Sequence, residues 1–72
     1  METKREKFLR LANSRTNKVI DTIDLISNLA NTSNYEYSKK DVEKIFKAME
    51  TALRLSKMKF DQTTMKKNKF KI

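Results

Sequence analysis

The chain has 72 residues, with 17 Lys and Arg against 9 Asp and Glu, a formal net charge of +8, and no Gly, Pro, Cys, His or Trp. Lacking Cys and His, it can build neither a disulfide framework nor a Cys/His zinc site, and the common nucleophile–base pairs of catalysis are missing. The excess positive charge points to an anionic or acidic partner, so a small non-enzymatic binding module without a cofactor is expected.

At this length a chain forms one domain at most and buries only about 60% of its unfolded surface. The opening stretch, METKREKFLRLANSR, is charged where a signal peptide is apolar, and nothing approaches the ~18 consecutive apolar residues of a membrane span. A soluble cytoplasmic protein is the expectation.

In the first half, Phe8, Ala12, Val19, Ile23, Ile26 and Ala30 recur at helical spacing, and Leu9, Leu11, Ile20, Leu25 and Leu29 widen the stripe. At about 100° per residue these cover one broad face, while Arg10, Asn13, Asn17, Asp21, Asp24 and Asn28 collect opposite. The pattern predicts a helix from about Lys4 to about Ala30. Residues 31–38, NTSNYEYS, interrupt it. Asn tolerates left-handed backbone where Gly is the usual choice, so Asn31 or Asn34 is the expected stop. Ser38 and Asp41 then read as a capping box with a short carboxylate.

A second apolar series, Val42, Ile45, Phe46, Met49, Ala52, Leu53 and Phe60, predicts a helix from about Lys39 to about Lys59. The expected fold is all-α, an antiparallel αα-hairpin over residues 1–60. Periodicity fades in DQTTMKKNKFKI, and residues 61–72 are expected to form a basic, partly disordered tail. Leu9, Leu11, Ile20, Leu25, Leu29, Leu55 and Met58 are read as flanking the stripes. They are more than two helices can cover, and they imply self-association or docking on a larger protein. Tyr35 and Tyr37 alternate in the loop: one is expected to close the end of the hairpin core while the other stands at the surface, the alternative being that they stack on unpaired bases, and both are candidate partner contacts.

Charge is sorted along the chain. Residues 1–20 carry six bases and two acids, whereas Asp21, Asp24 and Glu36 are the only charges from 21 to 37. In an antiparallel hairpin the basic segments would gather at one end. Lys4, Arg5, Lys7, Arg10, Arg15, Lys18, Arg54 and Lys57, with Lys66, Lys67, Lys69 and Lys71, are the candidate contacts to a nucleic-acid backbone; DNA bound without sequence preference is expected. Arg10 and Arg15 could equally make local ion pairs. Asp21 and Asp24, three apart on an exposed face, are read as solvating residues, and no metal site is expected.

The segments KFLRLANSRTNKVIDTIDLISNL and NYEYSKKDVEKIFKAME carry a resemblance. With Phe8, Arg10, Leu11, Ala12, Arg15, Asn28, Leu29, Tyr35 and Tyr37, they resemble small basic helical proteins of Gram-positive mobile genetic elements. Size and charge are also similar to those of the small partner subunit of the staphylococcal cassette A-family polymerase-primase. In that setting the polymerase holds the catalytic carboxylates and the small subunit assists. The resemblance implies a non-catalytic accessory subunit for DNA transactions, acting in mobile-element replication beside a polymerase or primase. The alternative from the residues alone is an adaptor or inhibitor that binds only protein.

Overall fold

The structure, a computed structural model, describes the backbone of residues 1–65 and the side chains of residues 1–63. It comprises helix α1 (Lys4–Ser27), a single 3₁₀ turn (Asn28–Ala30) and helix α2 (Lys39–Met65). There is no strand among the described residues, as an all-α chain of two helices requires. The chain divides into two units, Met1–Glu36 and Tyr37–Ile72, and each is described by itself.

Helix α1 starts on a reciprocal pair of hydrogen bonds. Thr3, in extended backbone, caps the helix: its Oγ1 accepts from the Glu6 N–H at 3.0 Å. The Glu6 carboxylate returns the bond, accepting from the Thr3 N–H at 2.9 Å. Two donors that the first turn leaves unpaired are thereby satisfied, with a negative charge at the positive end of the helix dipole. The Thr3 backbone N–H, and then its hydroxyl, hold the Glu6 carboxyl below the usual glutamate range.

The end of α1 differs from expectation in mechanism, though not in place. The last α-helical residue is Ser27, and the 3₁₀ turn carries the coil on to Ala30. No described residue has a positive φ, so no left-handed Asn stops the helix. Asn31 stops it instead by turning extended, with φ −67° and ψ 101°. Its side-chain Oδ1 accepts from the Ser33 N–H at 3.0 Å. Its carbonyl accepts from the N–H groups of Asn34 and Tyr35 at 3.2 and 3.0 Å. The short amide imitates a backbone turn and makes a positive φ unnecessary.

Helix α2 opens with the capping box read from Ser38 and Asp41. The Asp41 N–H donates to Ser38 Oγ at 3.1 Å, and the Ser38 N–H donates to Asp41 Oδ2 at 2.9 Å. The Ser38 N–H, followed by the Ser38 hydroxyl, lowers the Asp41 carboxyl from its ordinary value.

The other end of α2 corrects the sequence reading. The helix continues past Lys59 to Met65, so the expected boundary between residues 60 and 61 falls inside it. Periodicity weakens there, but no Gly or Pro intervenes, and propagating a started helix is far easier than nucleating one. Thr63 turns its hydroxyl back to the Lys59 carbonyl at 3.0 Å, keeping that donor paired within the helix. Residues 66–72 of the expected tail lie outside the described residues.

None of the described residues is buried. On the stripes, Ala12, Ile26, Val42 and Met49 are half-buried, while Leu25 and Leu53 are 65% and 62% exposed. Fully burying one large apolar side chain is worth ~1.5–3 kcal/mol, a contribution these stripes still have to gain. Local terms, such as an N-cap at ~1 kcal/mol and the absence of helix breakers, hold the helices meanwhile.

Candidate nucleic-acid interface

The candidate bases of α1 separate into three environments. Lys4, Lys7, Arg15 and Lys18 fall on one side of the helix, with Leu11 between them at the same spacing. This side is continuous with the edge of the apolar stripe on which Leu25 and Leu29 stand. Arg5 is apart from them: its Cζ lies 5.8 Å from the centre of the Phe8 ring, within cation–π range.

Arg10 stands on the opposite, polar side and is committed locally. Its Nε and Nη2 donate to the two Glu2 carboxylate oxygens at 2.8 and 3.1 Å. This fork raises the guanidinium pKa above its ordinary value. Among the described residues it is the one ion pair. Of the two arginines able to pair locally, Arg10 is thus paired, and Arg15 makes no ion pair among the described residues. The acids Asp21 and Asp24 stand on the polar side with Arg10, and no group of acids among the described residues could hold a metal ion.

On α2, Arg54 and Lys57 point to neighbouring sides. Arg54 shares its side with Lys40, Lys44 and Lys47, whereas Lys57 lies nearer Glu50 and Asp61. Lys66, Lys67, Lys69 and Lys71 fall outside the described residues. Lys40, Lys44 and Lys47 were missed in the sequence reading, although their signal was present. Spacings of four and three, then seven to Arg54, place all four on the side away from Val42, Ile45, Met49 and Leu53.

The candidate partner residues also divide. On α1, Leu9 and Ile20 border one edge of the stripe, and Leu11, Leu25 and Leu29 border the other, as expected. Leu55 and Met58 do not flank the stripe of α2. They stand on the far side of that helix, among the bases, where Met58 Sδ accepts from Arg54 Nη1 at 3.9 Å. The reason is phase: relative to Leu53, a step of two or five residues carries a side chain well over a right angle around the helix. Tyr35 and Tyr37 are both exposed.

No family model matches the chain, and no curated protein or solved structure matches it. No helix among the described residues is long and apolar enough to cross a membrane. What the surface offers is rows of exposed bases on two helices, each helix also carrying an exposed apolar stripe. Such rows neutralise phosphates and release counterions, while the stripes can exclude water only against another apolar surface.

Proposed function

We propose that the chain is a non-catalytic accessory subunit for DNA transactions, binding a nucleic-acid backbone through its bases and a larger protein through its apolar stripes. The observation that carries this reading is α2, where Lys40, Lys44, Lys47 and Arg54 run along the side opposite the stripe of Val42, Ile45, Met49 and Leu53, with Leu55 and Met58 the apolar residues on the basic side. A role in mobile-element replication beside a polymerase or primase follows from the resemblance of residues 7–29 and 34–50. An antiparallel pairing of α1 and α2 belongs to the same proposal, and would gather Lys4, Arg5, Lys7, Arg54 and Lys57 at one end.

The test is binding to short DNA across a salt series. Phosphate contact makes affinity fall steeply with salt; affinity unchanged between low and moderate salt refutes the proposal. Reversing Arg5, Lys7, Arg54 and Lys57 together is expected to weaken binding strongly without loss of helicity. A second reading, an adaptor or inhibitor that binds only protein, draws on the exposed Leu25 and Leu53. Capture of one stoichiometric protein partner with no retention on DNA would favour it.

A further inference from the structure

The side of α2 that faces away from its apolar stripe has an order of its own. Lys40, Lys44, Lys47 and Arg54 form a row along it, and all four are exposed. At ~1.5 Å per residue the row runs about 21 Å along the helix axis. Thr51, with a short polar side chain, fills the gap between Lys47 and Arg54. Glu43, Glu50 and Asp61 border one edge, and Asp41 on the other is engaged with Ser38. None of these acids forms an ion pair with the row, since the one ion pair among the described residues is Arg10–Glu2.

We infer that this row is the chain's main contact to nucleic-acid phosphates, working while protein covers the stripe on the other side. The inference rests on the proposed function and names the surface responsible. Two observations favour α2 over α1. On α1 the bases Lys4, Lys7, Arg15 and Lys18 are interleaved with the apolar edge of Leu11, Leu25 and Leu29, so a protein covering that stripe reaches them too. On α2 Leu55 and Met58 stand among the bases, but the stripe of Val42, Ile45, Met49 and Leu53 lies on the opposite side, so covering that stripe leaves Lys40, Lys44 and Lys47 open.

The row also predicts how the contact discriminates. The aromatic residues of α2, Phe46 and Phe60, belong to the stripe, so the row has no ring on which a base can stack. Lysines contact phosphates as point charges and carry no sequence information. Duplex and single strand are therefore both bound without sequence preference, with duplex gaining on single strand as salt falls because each contact releases more counterions from it. Four phosphate contacts imply a slope of log K against log salt of about −3.6 for duplex and −2.8 for single strand, or a ~150-fold loss for duplex between 50 and 200 mM salt.

The experiment measures anisotropy of a labelled 20-base-pair duplex, and of the single strand of the same sequence, over that salt range. The full-length chain is compared with K40A/K44A/K47A, with K40Q/K44Q/K47Q and with the α1 variant K4A/K7A/K18A. Alanine and glutamine both favour helix, and circular dichroism reports the fold of each variant. The row variants are expected to flatten the duplex slope by about 2.7, and the α1 variant by distinctly less. A wild-type slope in a helical row variant, with the loss appearing in the α1 variant, overturns the row and spares nucleic-acid binding. Absence of salt-dependent DNA binding by the unaltered chain overturns both. Retention on vesicles with 30% anionic lipid, without binding to either DNA, overturns the inference in favour of a membrane surface.

Discussion

Replacing Ser38 by Ala isolates the device that starts α2. The change removes the Oγ that accepts the Asp41 N–H at 3.1 Å, but leaves the backbone N–H that donates to Asp41 Oδ2 at 2.9 Å. Half of the reciprocal pair is lost. An N-cap Ser→Ala change typically costs ~1 kcal/mol, about a fivefold shift in the equilibrium for the first turn. Elsewhere a buried face often masks such a loss by holding the helix in place. In α2 no described side chain is buried, so the effect reaches helicity directly. About one turn, roughly four residues, frays at the N-terminus, and Asp41 and Val42 lose amide protection first. Asp41→Ala removes the other bond, and the double variant measures the coupling between the two. The assay is circular dichroism at 222 nm with residue-resolved amide exchange on the full chain. Unchanged exchange at Asp41 and Val42 in Ser38→Ala would refute local capping as the support of this end.

Acid should act on both helix starts together. The carboxyls of Glu6 and Asp41 are lowered in the folded chain by their Thr3 and Ser38 partners. Their contribution is therefore complete above the ordinary carboxylate range of about 4, and is lost as pH falls through the lower folded values. Helicity stays flat from neutrality to about pH 5 and declines below about 4; a Glu6→Gln/Asp41→Asn chain starts lower and declines less. An identical acid response in both chains would contradict the assignment. Glu2→Gln frees the Arg10 guanidinium and adds one unit of positive charge, so DNA affinity at low salt rises severalfold and the salt slope steepens by at most about one. An unchanged affinity would show that Arg10 faces away from the nucleic acid. Leu53→Asp places a charge on the exposed stripe of α2 and should weaken capture of a protein partner, or of a second copy, at least about tenfold. DNA titrations of the same variant are expected to keep their salt slope, since Leu53 lies opposite the row.

Much of the secondary structure is legible in the residues, because helices this exposed are governed by local rules. The Asn–Thr–Ser interruption and the Ser38–Asp41 pair are visible as letters, and so is Thr-Lys-Arg-Glu at the start, a T-x-x-E capping pattern that went unread. The end of α2 was less legible. Apolar periodicity reports which face seeks cover, and it lapses after Phe60 although the helix continues to Met65. The site was legible as charge before it was legible as geometry. Counting bases along the chain selected Arg54 and passed over Lys40, Lys44 and Lys47, because a run of charge does not register phase. Phase also moved Leu55 and Met58 from the stripe to the basic side, a difference that composition cannot express.

That no described residue is buried also determines how this protein should look to a calorimeter. Heat capacity and denaturant sensitivity of unfolding both scale with the surface that unfolding uncovers. Helices that bury so little by themselves leave little to uncover, so with their stripes uncovered they should melt over a wide temperature range with a small heat-capacity step. The missing signal belongs to complex formation, when the stripes leave water and the heat capacity falls. Much of the thermodynamic signature that other domains show on folding should here be recorded as binding.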